Sequence, residues 1–314
     1  MTAYILRRIL LLFPLLIGMT LITFFLTRAL PGDPVYSMVG ERADPKTIAA
    51  IRKAIGSDNS LPRQYAGYVL LLMKGEMGTS YHTGGKVLDD IMSKFPNTLK
   101  LAVGAMMIAV PLGIVLGMIS ALKNNTLLDR AISMLSVSSL SVPVFWSGLM
   151  LMLFFSLRLR LLPPSGTGGL KYLVLPALTL SLPALATIVR VTRTTVLDII
   201  HMPFIRTARA KGIKELRINY VHILRNALIP IVTIIGLDFG SYLNGAVLTE
   251  SIFGWDGIGR FTMEGIIKRD YPVIMGCIIT GTVVFVIINL IVDVVYHYAD
   301  PRMRLHMPDD IPKA

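Results

Sequence analysis

Six stretches of this chain are apolar enough, for long enough, to cross a bilayer, and this constrains the fold more than any motif. They run roughly Ile9–Leu30, Leu99–Leu122, Ala131–Leu157, Leu173–Val191, Leu228–Leu248 and Val273–Tyr298. Each is close to or above the ~20 residues a helix needs to cross about 30 Å of hydrocarbon. Inside lipid every backbone N–H and C=O must be paired within the segment, so runs of this kind form helices. Composition agrees, with 54% hydrophobic and 16% charged residues and a mean hydropathy of +0.65; a soluble domain is about a quarter charged. The expectation is an all-α membrane protein with six transmembrane helices. Arg7 and Arg8 precede the first stretch, as they would in a signal peptide. That stretch has no small-residue cleavage site and reads as an uncleaved span.

The net charge is +12, which in a nucleic-acid binder would be the leading clue. Here the cations border apolar spans and are not interleaved with aromatics, so no nucleic-acid partner is expected. The charge reads as topological, with attraction to anionic lipid headgroups as a side effect. The N-terminus, residues 123–130, residues 190–225 and the C-terminal tail together hold 15 Lys and Arg. The short loops on the other side hold 6: Arg158, Arg160, Lys171, Arg260, Lys268 and Arg269. That bias predicts a plasma-membrane protein with both termini cytoplasmic. Residues 31–96 carry 8 more, in a loop near the length at which charge stops directing topology.

The organisation expected is a cytoplasmic N-terminus and first span over 1–30, an extracytoplasmic helical insert over 31–96, five spans in a core over 97–303, and a cytoplasmic tail over 304–314. In the insert, Asp44-Pro45 and Ser60-Leu61-Pro62 look like helix starts, and Gly56 and Gly75 like stops. Short helices follow at about 45–55, 62–74 and 86–94. Lone Cys277 lies in an apolar run, where a packed thiol is the plain reading.

The core contains one long cytoplasmic loop, about 192–227. Its segment Ile205–Pro230, IRTARAKGIKELRINYVHILRNALIP, carries Arg206, Arg209, Lys211, Lys214, Arg217 and Arg225 against one acid, Glu215. Gly212 offers a break between two short helices, and Pro230 falls in the first turn of the next apolar run. A helix–turn–helix on the inner membrane face suits docking of a soluble partner. Topology needs the charges but not this glycine.

This loop resembles the EAA-type coupling loop of ABC transporter permeases, through Arg206-Thr207-Ala208, Gly212 and Leu228-Ile229-Pro230, with Arg206 where the pattern's name has Glu. Ile5-Leu6-Arg7-Arg8, Pro31-Gly32-Asp33-Pro34, Gly254-Trp255-Asp256-Gly257-Ile258-Gly259-Arg260, Arg269-Asp270-Tyr271-Pro272-Val273 and Asp300-Pro301-Arg302-Met303-Arg304 are similar to motifs of permeases importing dipeptides, oligopeptides or nickel. The resemblance implies the type I ABC importer permease fold and one half of a heterodimeric pore. It implies a second homologous permease subunit, two cytoplasmic ATP-binding subunits and an extracytoplasmic solute-binding protein. Coupling would fall to Ile205, Arg206, Thr207, Ala208, Arg209, Lys211, Gly212 and Ile213. Arg206, Arg209 and Lys211 would meet acidic or polar rim groups on an ATPase subunit, while Ile205, Ala208 and Ile213 supply apolar contact.

No G-x-x-x-x-G-K-[ST] phosphate loop occurs, and the five histidines lack metal-ligand spacing such as H-E-x-x-H. The reading is therefore no enzyme and no cofactor. Two acids lie inside spans, where Asp costs about 2.5–3.5 kcal/mol on insertion scales. Asp293 reads as capping or interhelical bonding. Asp238, with Ser241 and Asn244 nearby, either lines a translocation path or packs helices, since Gly236–Gly240 is a close-packing spacing. Gly113–Gly117 reads as packing, and Pro143, Pro176 and Pro183 as possible bends. A channel or secondary transporter is the rival from another class, but it would need no docking loop and would favour repeat symmetry, which is not visible. Peptides are the leading solute, with nickel or a nickel chelate second.

Overall fold

A proline cannot donate a backbone hydrogen bond, and its predecessor is steered toward extended angles. At Val142 the backbone is extended (φ −86°, ψ 127°), and the helices on either side of Pro143 diverge by 102°. In the computed structural model, which describes residues 2–29, 33–39 and 43–299, the third span, where Pro143 reads as a bend, is thus two arms. These are α6 (Leu127–Ser141) and α7 (Val144–Leu151), the latter continued by a π-helical turn, Met152–Arg158. The motifs at Pro31-Gly32 and Asp300–Arg304 and the tail 304–314 lie outside the described residues.

The other elements are α1 (Thr2–Ala29), α2 (Pro34–Val39), α3 (Pro45–Ala54), α4 (Leu61–Met73), α5 (Val87–Leu122), α8 (Leu170–Ile200), α9 (Pro203–Ala210), α10 (Glu215–Arg217), α11 (Arg225–Leu243), α12 (Val247–Ile252), α13 (Ile258–Lys268) and α14 (Tyr271–Ala299). A π-helical stretch, Ile218–Leu224, joins α10 to α11. No strand forms among the described residues, only an isolated bridge between Thr79 and Lys86. Five helices are long and apolar enough to span, and the bent pair supplies the sixth.

Four boundaries differ from expectation. The helix expected at 86–94 and the second span are one helix, α5, running through Pro96. The Gly254–Arg260 loop, an outer loop in the expected topology, holds that stretch: the Trp255 indole N–H donates to the Asn97 carbonyl at 2.9 Å, Asn97 Nδ2 to the Asp256 carbonyl at 2.9 Å, and Lys94 pairs with Asp256 at 2.5 Å. The fifth span starts at Glu215, so Pro230 lies inside a helix and not in its first turn. It also stops at Leu243, because the chain turns at Gly245 (φ +102°) before α12. Helix α2 was not anticipated. In the insert, Gly56 and Gly75 do end helices, at φ +72° and +76°.

The chain forms two compact units. The first comprises Met1–Leu101, Leu161–Tyr172 and Ser241–Val286. Its core holds Phe24, Tyr68, Tyr271, Ile274, Met275 and Ile279, with a second cluster of Val87, Ile91, Ile258, Val273 and Cys277. The second comprises Ala102–Arg160, Leu173–Gly240 and Ile287–Ala314. There α5 packs on α8 through its glycines: a Cβ on Gly113 would sit 2.6 Å from Ile188, and one on Gly117 2.6 Å from Thr192. Gly236 is filled in the same way by Val292 of α14. Large apolar residues such as Phe13, Met107, Met134 and Leu135 remain exposed, as suits surfaces met by lipid or another membrane subunit.

Candidate functional site

The chain leaves α8 at Ile200, turns, and re-enters helix at Pro203, where a missing N–H costs nothing because first-turn donors are unpaired anyway. Helix α9 buries two residues three apart, Ile205 and Ala208, and exposes the rest. It ends in paired reverse bonds: the Ile213 N–H to the Ala208 carbonyl at 3.2 Å and the Gly212 N–H to the Arg209 carbonyl at 2.9 Å. This Schellman stop needs a left-handed residue, and Gly212 supplies it at φ +72°.

Two roles expected of this loop change once side chains are placed. Ile205 and Ala208 make their apolar contacts inside the chain, so they anchor α9 and offer no surface. The exposed large apolar groups are Met202 and Phe204 before and within α9, Leu216, 71% exposed, in α10, and Tyr220 and Val221 in the π-helical stretch. Arg209 is already engaged by this chain's own acid: Nε and Nη2 donate to the two carboxylate oxygens of Glu215 at 2.8 and 3.4 Å. That hydrogen-bonded carboxylate raises the guanidinium above its ordinary value. Arg206, Lys211, Lys214 and Arg217 are exposed and form no ion pair among the described residues. Thr207 is exposed, its hydroxyl donating to the Pro203 carbonyl at 3.2 Å, and Ile213 is half-buried.

The stem of the loop is pinned by a pair that sequence reasoning missed. Arg193, near the end of α8, donates through Nε and Nη2 to Asp129 Oδ1 and Oδ2 at 2.7 and 2.9 Å. Asp129 is buried at the start of α6, and it also accepts from the Ser120 hydroxyl at 2.5 Å and the Asn125 N–H at 2.9 Å. Thr126 caps α6, and Thr-x-x-Asp is a visible helix-start pattern. The partner 64 residues away is not visible.

Of the three residues expected along a path, Asp238 and Ser241 stand three apart on α11 and Asn244 follows its end. Asp238 is half-buried in α11, and its Oδ2 bonds no described residue. Ser241 is exposed on the same helix, and Asn244 is exposed just past its end, against Gly281 of α14. Asp293 lies in α14 and is half-buried.

The outer loop has its own keystone. Glu250, fully buried, accepts from the Thr98 hydroxyl at 2.8 Å and from the Arg260 N–H at 3.0 Å. It therefore caps α13 from outside that helix. A Cβ on Gly257 would fall 2.5 Å from its carboxylate, and one on Gly259 2.9 Å from Val247 backbone. The glycines of the Gly254–Arg260 motif make room for this acid. Burial pushes the Glu250 carboxyl above its usual range, and the bonds from Arg260 and Thr98 oppose that.

Comparison with known proteins agrees with this layout. Residues 113–305 match the model for the binding-protein-dependent transport system inner membrane component, and residues 1–102 match that family's N-terminal model. The chain is 40% identical over 333 residues to the di/tripeptide transport system permease protein DppB of Pseudomonas aeruginosa (strain UCBPP-PA14), covering 97% of this chain and 99% of that one. It is 37% identical to the dipeptide transport system permease protein DppB of Escherichia coli (strain K12), with the same coverage. The glutathione transport system permease protein GsiC of Salmonella typhi is 37% identical over 304 residues, again covering 97% and 99%. In fold, a chain of the inward-facing MetNI methionine ABC transporter superposes with a TM-score of 0.55 at 17% identity, covering 67% of this chain and 96% of that one. The architecture is that of an ABC importer permease, and the chain belongs to the family of binding-protein-dependent transport system inner membrane components.

Proposed function

We propose that this chain is the membrane-spanning subunit forming half of the translocation path of an ATP-driven importer of peptides. Its proposed assembly adds a second homologous permease, two cytoplasmic ATPase subunits that hydrolyse the nucleotide, and an extracytoplasmic solute-binding protein. Both termini face the cytoplasm. Relatives named for peptide and glutathione transport favour peptides over nickel. The observation that carries the coupling reading is α9: anchored by only two buried residues, it presents Phe204 beside unpaired Arg206 and Lys211. Apolar anchors ringed by unpaired cations suit a groove with an acidic rim. Movement of the ATPase subunits would reach α8 through this short helix, and Arg193–Asp129 would carry it to α6.

The test is the reconstituted complex with solute-loaded binding protein, following ATPase stimulation and uptake together. Phe204→Ser should weaken retention of the ATPase subunits roughly tenfold, since burying a phenyl ring contributes about 1.5–3 kcal/mol. Arg209→Glu breaks the Glu215 contact and sets two anions across the turn, and it should uncouple hydrolysis from uptake. Normal ATPase retention, stimulation and uptake in both variants would remove this loop as the coupling element.

A further inference from the structure

A pocket of about 570 Å³ opens in the first unit, where α1 ends, α4 passes and α14 begins. That volume lies in the range of small-molecule sites. Its charge is unbalanced. Three guanidinium groups, Arg28, Arg52 and Arg63, line it against one carboxylate, Asp33. That carboxylate is already taken, by the guanidinium of Arg52 and by the Val35 N–H at 2.9 Å.

Arg28 and Arg63 are left without an anion among the described residues; Arg63 is exposed to solvent, and Arg28 is half-buried. Its Nε donates to Gln64 Oε1 at 3.0 Å, and Nη1 reaches the Phe24 carbonyl and the Thr27 hydroxyl, both at 3.4 Å. The guanidinium lies 3.5 Å from the centre of the Phe24 ring and 5.6 Å from that of Tyr271. All of these partners are neutral, and Nη2 bonds no described residue. A half-buried cation held only by neutral groups leaves its charge to be met by something entering the pocket.

A second group points the same way. Tyr68 lines the pocket and is 7% exposed, yet its hydroxyl has no hydrogen-bond partner among the described residues. Buried hydroxyls are nearly always paired, and an unpaired one marks a missing partner. Tyr81 and Tyr271 complete an aromatic wall, their rings edge-on at 6.3 Å. Burial lifts the Tyr81 phenol to about 12, so it remains a neutral O–H. Ile55, Leu71 and Met275 supply an apolar side.

We propose that this pocket binds the carboxylate of a small organic acid bearing an apolar group, with Arg28 as its cation and Tyr68 as a second donor. The C-terminal end of a short peptide is the form this chain would meet. That last identification, and the pocket's place outside the membrane, rest on the function proposed above; the binding chemistry does not. Arg28 donates to the carboxylate through Nη2, which bonds no described residue, the aromatic wall takes the apolar group, and no covalent step is involved.

The experiment uses the purified transporter in nanodiscs of neutral phosphatidylcholine, without binding protein, titrated by calorimetry with the dipeptide Ala-Phe and with its C-terminal amide. Saturable binding of the acid is expected, with the amide roughly tenfold weaker, as loss of a charge-assisted hydrogen bond implies. Arg28→Gln should lose binding of the acid by at least about the same factor. Tyr68→Phe should weaken it without lowering the thermal unfolding temperature, because the hydroxyl removed has no partner among the described residues. Absence of saturable binding, equal binding of acid and amide, or full affinity in either variant overturns the proposal. A second arm repeats the titration with phosphatidylglycerol present. Competition by that lipid in the native protein, lost in Arg28→Gln, would assign the pocket to a phosphate headgroup and overturn the carboxylate. Uncoupling by the α9 variants bears on the proposed function alone and leaves this site standing.

Discussion

Asp129 and Gly212 show how differently single residues hold the loop after α8 and its stem. Asp129 is a buried anion whose carboxylate accepts two bonds from Arg193 and one each from Ser120, Asn125 and Ser133. Removing Asp129 takes away all of these bonds and leaves the Arg193 guanidinium, its side chain 26% exposed, without its anion. Asp129→Ala should therefore lower the thermal unfolding temperature of the purified protein sharply. Ser120→Ala, which removes one hydroxyl donor, should cost only about 1 kcal/mol. At Gly212 the cost is purely conformational: an added Cβ would meet nothing within 4 Å, but φ is +72°. Alanine there should cost about 1 kcal/mol. The Gly212 turn was legible in the sequence because its cause is local. The pair was not, since Arg193 reads as one more topological cation until the fold brings it to Asp129.

At the scale of elements, two prolines make the lesson plain. Pro143 and Pro96 each interrupt a helical run in the sequence, yet one marks a 102° break and the other lies within continuous helix. What separates them is the outer loop, whose Trp255, Asp256 and Glu250 bond to residues 94–98. The existence of the apolar helices was legible from hydropathy alone. A bend at Pro143 was legible too, but which proline breaks its helix was not, because a break depends on what lies alongside. The same loop gives a pH dependence. Burial raises the Glu250 carboxyl above its ordinary glutamate range, so the folded state binds that proton more tightly than the unfolded one. Its contribution is complete below the unfolded value of about 4.3 and is lost as pH rises through the raised one. Thermal unfolding followed from mildly acidic to neutral pH should show stability falling over that window. Glu250→Gln, which stays neutral, should flatten the slope; an unchanged slope would mean that the carboxyl does not titrate there.

For the whole molecule, the clearest reading is the asymmetry of charge, 15 cations against 6 on the two sets of segments. With buried Cys277 replaced, Ser57→Cys should react with an impermeant thiol reagent applied to intact cells, and Lys214→Cys should not. Labelling at 214 without labelling at 57 would invert the topology. The candidate site was only partly legible at this scale: the sequence located the loop but could not say which cations the chain keeps for itself. That division has a kinetic consequence. Arg209 is clipped to Glu215, so recruiting it to another subunit exchanges one ion pair for another and releases a competing anion beside the contact. It can add little to the lifetime of a complex. Arg206, Lys211 and Lys214 have no such competitor, and their field extends about one Debye length, roughly 8 Å at physiological ionic strength. If the loop docks as proposed, it would speed encounter more than prolong it, and added salt should slow assembly with an ATPase subunit far more than it hastens release.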